Sequence, residues 1–195
     1  MLNDGKGDTN EGWLDEHIDS TQVVAEGRVF RYERLGVTLP DGSKSTRDVV
    51  RLPGGSVIAA IDQEGYIYLV TQFRAALGRV TLELPAGRLE PGEPPEDCAK
   101  RELLEETGLR AGAMKLLTSM TPTPGYSDEV LHIFMATELE FDEANPDEGE
   151  FINTLIYPFD EVVDLVAEGE ITDAKTIIGI LLAEREIRLG PGSGD

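Results

Sequence analysis

Cysteine is all but missing from this 195-residue chain: Cys98 stands alone, so no disulfide can close within it. That usage suits a reducing compartment. Histidine is nearly as scarce, and His17 and His132 are too scattered to suggest a histidine metal cluster. No apolar run approaches the ~20 residues needed to cross a bilayer. Residues 1–12 are Gly-, Asn- and Asp-rich and lack the basic start and apolar stretch of a secretory signal. Positive charge is the largest deficit: 17 basic residues, five of them lysine, face 38 acids, for a net charge of −21. Nucleic acid and anionic membrane both demand a basic patch, so neither is expected as a partner. A soluble cytoplasmic protein is the expectation. The excess of carboxylates fits a high-salt interior, where salt screens their repulsion, or simply an acidic protein.

What is present is an ordinary globular mixture, 40% apolar and 28% charged, long enough for one core. Residues 1–12 read as a flexible lead and 190–195 as a flexible tail. Between them, 13–55 read as an N-terminal β region and 56–189 as the main domain. Residues 23–39 are rich in β-branched and aromatic types, Pro40-Asp41-Gly42 gives a turn, and 44–52 resume an extended pattern. Strands are expected at 57–61, 66–73, 80–84, 116–120, 130–137 and 151–157. Helices are expected at 94–107, 159–168 and 173–188, with Ile177, Ile180 and Leu181 of the last on a core face. The elements form a mixed α/β pattern without the regular alternation of a doubly wound sheet.

The helix at 94–107 carries the chemical signal. Pro94 and Pro95 open it with acids behind them, and Gly108 stands where a left-handed cap is needed. Glu102, Glu105 and Glu106 fall at i, i+3 and i+4 and share one face. Like charges at that spacing repel, and all three sit in the half of the helix whose dipole is already negative. A solvated acidic face would look the same; a bound hard cation such as Mg²⁺ or Mn²⁺ would instead relieve both penalties.

The surrounding spacing separates these readings. Gly87, Glu93, Arg101-Glu102-Leu103, Glu105-Glu106 and Gly108-Leu109 match the pattern GX5EX7REUXEEXGU at every specified position, U being a bulky aliphatic residue. On these residues the chain resembles the Nudix hydrolase superfamily. The resemblance implies an α/β/α sandwich with a mixed central sheet, preceded by an antiparallel β region. It makes Glu102, Glu105 and Glu106 metal ligands, with two to three Mg²⁺ ions per site and Mn²⁺ able to substitute. Gly87, Glu93, Arg101 and Gly108 become structural parts of the box.

The flanks resemble one subfamily, the ADP-ribose pyrophosphatases and related nucleoside-diphosphate-sugar hydrolases. Glu83-Leu84-Pro85-Ala86-Gly87 is similar to its ELPAG lead-in, which implies that the Ala86 carbonyl completes the metal shell. Gln72-Phe73-Arg74 is similar to a QYR segment whose arginine reaches substrate. Pro124 lies 15 residues past Leu109, and its context Pro124-Gly125-Tyr126-Ser127-Asp128-Glu129 resembles a substrate loop. Arg47, Arg74, Arg88, Pro124, Gly125 and Glu129 are the implied substrate contacts. Glu150, with Glu148 behind it, is the implied general base, in an acidic segment that could equally be a solvated loop. Arg51 departs from the pattern, standing where a glutamate is usual, which bears on the adenine and ribose contacts. Residues 13–55 would serve dimerisation and base binding, with Trp13, Phe30 and Tyr32 as stacking candidates or as core and interface residues, and a homodimer is implied. Cys98 reads as a packing residue.

Three functions are therefore weighed. One is hydrolysis of ADP-ribose or a similar sugar nucleotide. The second is hydrolysis of another diphosphate, such as an oxidised nucleotide or a dinucleoside polyphosphate. The third is a catalytically silent ligand sensor, against which the intact box speaks.

Overall fold

The computed structural model describes residues 12–142 and 151–190. The chain divides into two compact units: residues 1–52 with 123–128, and residues 53–122 with 129–195.

The first unit is a three-stranded antiparallel sheet, β1 (His17–Glu26), β2 (Arg31–Thr38) and β3 (Lys44–Arg51), in that order. The β-rich stretch at 23–39 is thus parts of two strands, because Gly27 and Phe30 close a turn through the Gly27 N–H and the Phe30 carbonyl at 2.9 Å. The turn at Pro40-Asp41-Gly42 is present: the Asp41 carboxylate accepts from Ser43 N at 2.9 Å, and Gly42 takes the left-handed φ of 84°. Every residue of β1 is exposed. The segment at 123–128 adds to the open edge of this sheet. Val50 N donates to the Tyr126 carbonyl at 2.8 Å, and Val50 forms a parallel bridge with Ser127. Arg51 donates to Asp128 at 3.1 Å and to the buried Glu33 at 2.9 Å. Arg51 therefore acts as a staple between β2, β3 and the segment.

The second unit holds a seven-stranded mixed sheet. Its main path runs β10 (Asn153–Pro158), β5 (Tyr66–Arg74), β4 (Gly55–Ile61), β9 (Leu131–Phe141) and β8 (Leu109–Met120). Only β4 and β9 pair in parallel. β4 and β5 touch at just two register positions, Ala60↔Tyr68 and Ile61↔Ile67, and then diverge. Into the gap runs β6 (Arg79–Glu83), paired with β5, then Leu84-Pro85, then β7 (Ala86–Arg88), paired with β4. Ile58 N donates to the Pro85 carbonyl at 2.9 Å and holds the crossing. β7 is only three residues long and has no apolar alternation, so the sequence pattern alone does not announce it.

Alternation along β4 builds the layers. Val57, Ala59 and Ile61 face one cluster with Phe159 and Val162 of α2 (Phe159–Ala167) and Ile180 and Ala183 of α3 (Ala174–Leu189). Ile58 and Ala60 face the opposite cluster with Ala99 and Leu103 of α1 (Pro95–Thr107). The expected α/β/α sandwich is present. The face of α3 differs from expectation: Leu181 is 45% exposed, while Thr176, Gly179, Ile180 and Ala183 are buried. A Cβ on Gly179 would lie 2.5 Å from Leu84 Cδ1, so the helix passes closely over Leu84 at that glycine.

Candidate active site

The site is built where β7 meets α1. Helix α1 starts at Pro95 with Glu96 and Asp97 in its first turn, and ends on Gly108 at φ 71°, whose N–H donates to the Leu104 carbonyl at 2.9 Å. Leu103 is fully buried against the sheet. With that face fixed, Glu102, Glu105 and Glu106 are turned toward the β7 side. Glu106 is buried, and its Oε2 accepts from Ala86 N at 3.0 Å. Gly87 leaves no room beside Glu102, since a Cβ there would fall within the Glu102 carboxylate.

Arg101 gathers the acids. Its Nε and Nη2 donate to the two oxygens of Glu93 at 2.9 and 3.0 Å, and Nη2 also donates to the Arg88 carbonyl at 3.1 Å. Its Nη1 donates to Glu102 at 2.7 Å and Glu105 at 3.0 Å. The hydrogen bonds from Arg101 hold the Glu93 carboxyl down at about 2 despite partial burial, and Glu93 raises the Arg101 pKa in return. Glu93 also accepts from Glu90 N at 2.9 Å, which pins the loop ahead of the helix. One guanidinium thus serves three carboxylates, Glu93, Glu102 and Glu105, while Glu106 is held by Ala86 N, and the cluster stays strongly negative. Cys98 packs beneath it, donating weakly to the Gly87 and Arg88 carbonyls, and burial pushes its thiol up to about 11. It is not a nucleophile in this state.

The donor set fits a hard divalent cation: carboxylate oxygens beside bare backbone, with negative charge exceeding its counterions. Among the described residues, no three His, Cys, Asp or Glu side chains converge as a ready cation cage. Arg101 Nη1 donates to one oxygen of Glu102 and one of Glu105, which leaves each carboxylate with further acceptor capacity.

The other anticipated residues are distributed over both units. In the second unit, Arg88 is exposed on β7 and Glu129 is half-buried ahead of β9. Arg74, at the end of β5, is held by Glu83: its Nε and Nη2 donate to the Glu83 carboxylate at 2.7 and 2.5 Å. In the first unit, Arg47 donates to Ser45 Oγ at 3.1 Å and the Thr46 carbonyl at 2.9 Å, and pairs with Glu16. Pro124 and Gly125 are exposed at the turn of the added segment. Glu148 and Glu150 lie outside the described residues.

The sequence reading passed over the partners of Glu83. This residue is 2% exposed and also receives Thr81 Oγ1 at 2.5 Å and the ammonium of Lys175. Burial alone would raise its pKa; the Arg74 hydrogen bonds and the Lys175 charge prevail and bring it to about 2. The available signal was a glutamate alternating with a threonine on a strand just ahead of Pro85, where an unpaired charge could not be buried.

Comparison with known proteins agrees with this geometry. The family model described as the NUDIX domain matches residues 51–178. The chain is similar to an ADP-ribose pyrophosphatase of Bacillus subtilis (strain 168), with 38% identity over 169 residues, covering 86% of this chain and 91% of the relative. It is equally similar to a methanol dehydrogenase activator of Bacillus methanolicus, again 38% identical over 169 residues and with the same coverage. A crystal structure of an ADP compounds hydrolase shares the fold at a TM-score of 0.79, covering 89% of this chain and 95% of that one at 20% identity. The unbroken box on β7 and α1, the match over most of the length and the shared fold together establish that the chain belongs to the Nudix family.

Proposed function

We propose that this protein hydrolyses the diphosphate bond of ADP-ribose or a related nucleoside diphosphate sugar, releasing a nucleoside monophosphate and a sugar phosphate. The observation that carries the reading is the cluster of box glutamates: Arg101 binds Glu93, Glu102 and Glu105, Glu106 is buried on Ala86 N, and Gly87 leaves no space beside Glu102. Glu102, Glu105, Glu106 and the Ala86 carbonyl would hold two or three Mg²⁺ ions. When bound, such ions neutralise the diphosphate oxygens and lower the pKa of an attacking water. A protein at −21 needs that local reversal of its field to accept an anionic substrate.

The remaining work falls to the chain. Arg74, Arg47 and Arg88 donate charge-assisted hydrogen bonds to the phosphates. The family resemblance supports Pro124, Gly125 and Glu129 as contacts to the substrate. Glu150 takes a proton from the attacking water, with Glu148 as the second choice. The similarity to an ADP-ribose pyrophosphatase supports the substrate class.

A homodimer is part of the same proposal. It is supported by the exposed apolar side chains of the first unit: Trp13 at 72%, with Ile18, Val23, Val24 and Phe30. Light scattering that returned a monomer would remove it.

The deciding experiment is one Mg²⁺-dependent assay over ADP-, GDP- and UDP-sugars with both products identified. Release of AMP and ribose 5-phosphate from ADP-ribose supports the reading. Failure on every sugar nucleotide, alongside turnover of a dinucleoside polyphosphate or an oxidised nucleotide, would move the assignment to the second class. The similarity to a methanol dehydrogenase activator gives a second reading, action on a partner enzyme. That reading gains if the chain alters an alcohol dehydrogenase's rate without consuming any of the panel.

A further inference from the structure

Arg74 is not a free arm. A guanidinium carries five N–H donors, and two of those on Arg74, at Nε and Nη2, are spent on the Glu83 carboxylate at 2.7 and 2.5 Å. The three left are the two on Nη1 and the outer one on Nη2. One on each Nη nitrogen points off the end of the fork, so an anion bound by two N–H groups is met end-on, and rotation of the head would break the Glu83 pair. The lock itself is held from behind. Glu83 Oε1 also accepts from Thr81, and Oε2 also accepts from Lys175.

Lys175 belongs to the first turn of α3. Its ammonium also donates to Asp173 at 2.8 Å, and the same carboxylate caps the helix by accepting from Thr176 N at 3.0 Å and Thr176 Oγ1 at 2.6 Å. Thr176 Oγ1 in turn accepts from Leu84 N at 2.9 Å. The start of α3 is therefore bonded at two consecutive residues, Glu83 at the end of β6 and Leu84 just past it. The arrangement is charge-balanced, two cations against two carboxylates, and both Glu83 and Lys175 are shielded from solvent. An isolated Arg–Glu pair at a strand end would need neither the lysine nor the aspartate.

We propose that Glu83 and Lys175 are positioning residues, which fix Arg74 as a preformed, end-on clamp for a phosphate group of the substrate. Neither touches substrate; both act through the direction of one guanidinium. Because a preformed donor spends little binding energy on ordering, loss of the lock raises KM more than it lowers kcat. The kinetic part of this inference rests on the proposed hydrolysis, whereas the lock itself does not.

The tests follow that division. In the nitrogen–proton spectrum of the arginine side chains, the Nε–H signal missing from Arg74→Lys identifies Arg74. It is expected to exchange slowly with solvent in the wild type. In Glu83→Gln its exchange should speed up by about tenfold, with a smaller acceleration in Lys175→Met. In steady-state kinetics with ADP-ribose and Mg²⁺, Glu83→Gln should raise KM by about tenfold with kcat within about threefold. Lys175→Met should move KM in the same direction by about three- to fivefold, and Lys175→Arg, which keeps the cation, should restore it. In an Arg74→Ala background Glu83→Gln should have almost no further effect on KM. Should Glu83→Gln fail to fold, the lysine pair decides alone. An Arg74 signal indifferent to Glu83→Gln and Lys175→Met overturns the proposal, as does an equal KM penalty with and without Arg74. A wild type inactive on every sugar nucleotide would strike the proposed function instead, and the exchange measurement would still judge the lock.

Discussion

Gly87 and Glu102 are in direct apposition, so that the side chain of any other residue at 87 would occupy the place of the Glu102 carboxylate. Gly87→Ala should therefore displace Glu102 without altering a single charge. Turnover is expected to fall by about 10²-fold, the usual scale for a misplaced catalytic group, and Mg²⁺ affinity should fall by about tenfold. Titration calorimetry with Mg²⁺, read beside turnover, separates this from general unfolding; normal affinity in the variant would contradict it.

Glu106 has one observed contact and one proposed duty, metal binding, and one substitution can separate them. Its carboxylate accepts from Ala86 N, and a glutamine oxygen can accept the same bond. Glu106→Gln should thus leave the melting temperature close to wild type while Mg²⁺-dependent turnover drops by about 10³-fold or more. Near-normal turnover would remove Glu106 from the ligand set.

For Glu150 the expected signature is different. Glu150→Gln should lower kcat by about 10²–10⁴, the range for a lost general base, with Mg²⁺ affinity kept. A change of less than threefold would turn attention to Glu148→Gln.

Acid stability should depend on Glu83 and Glu93, both brought down to about 2. A carboxyl whose folded pKa lies below its unfolded value stabilises the fold above the unfolded value, and that contribution is lost as pH falls through the folded one. Melting temperature should accordingly decline from roughly pH 4.5 toward pH 2. Glu93→Gln should flatten this decline, with the difference from wild type largest near neutrality. Parallel curves for the two proteins would show that the Arg101 pair contributes nothing.

The net charge of −21 makes its own prediction. If the surface is adapted to high salt, melting temperature should climb with KCl well beyond the concentration at which simple screening saturates. A flat or falling curve leaves only an acidic protein.

The box was legible because a helix translates spacing into a shared face: positions 102, 105 and 106 could not avoid one another. Gly108 was legible for the same local reason, a cap that needs a left-handed residue. Arg101 as the hub of Glu93, Glu102 and Glu105 needed the path of the loop between 88 and 94, which spacing alone does not give. The neutralisation of Glu83 by Lys175 joins residues 92 positions apart, and no local pattern encodes such a meeting. Leu181 misled because apolarity was taken for burial, whereas the inward face of α3 carries Thr176, Gly179, Ile180 and Ala183. Arg51 had looked like a loss from the substrate site; in the fold it joins Glu33 to Asp128.

The three glycines at 54, 55 and 87 have a consequence for how the site can vary. A Cβ at Gly54 would lie 2.6 Å from the Val130 carbonyl, and one at Gly55 would lie 2.5 Å from the Gly87 carbonyl, with Glu102 next in line. From the residue before β9 to β7, backbone rests closely on backbone at these glycines, and the last of them meets the Glu102 carboxylate directly. Side-chain layers can absorb a substitution by changing rotamer; a stack of bare peptide units has no such slack. The spacing between sheet and glutamates is in effect gauged by the thickness of the chain itself. Diversification for new substrates is thereby pushed outward to the loops, while the gauge stays fixed.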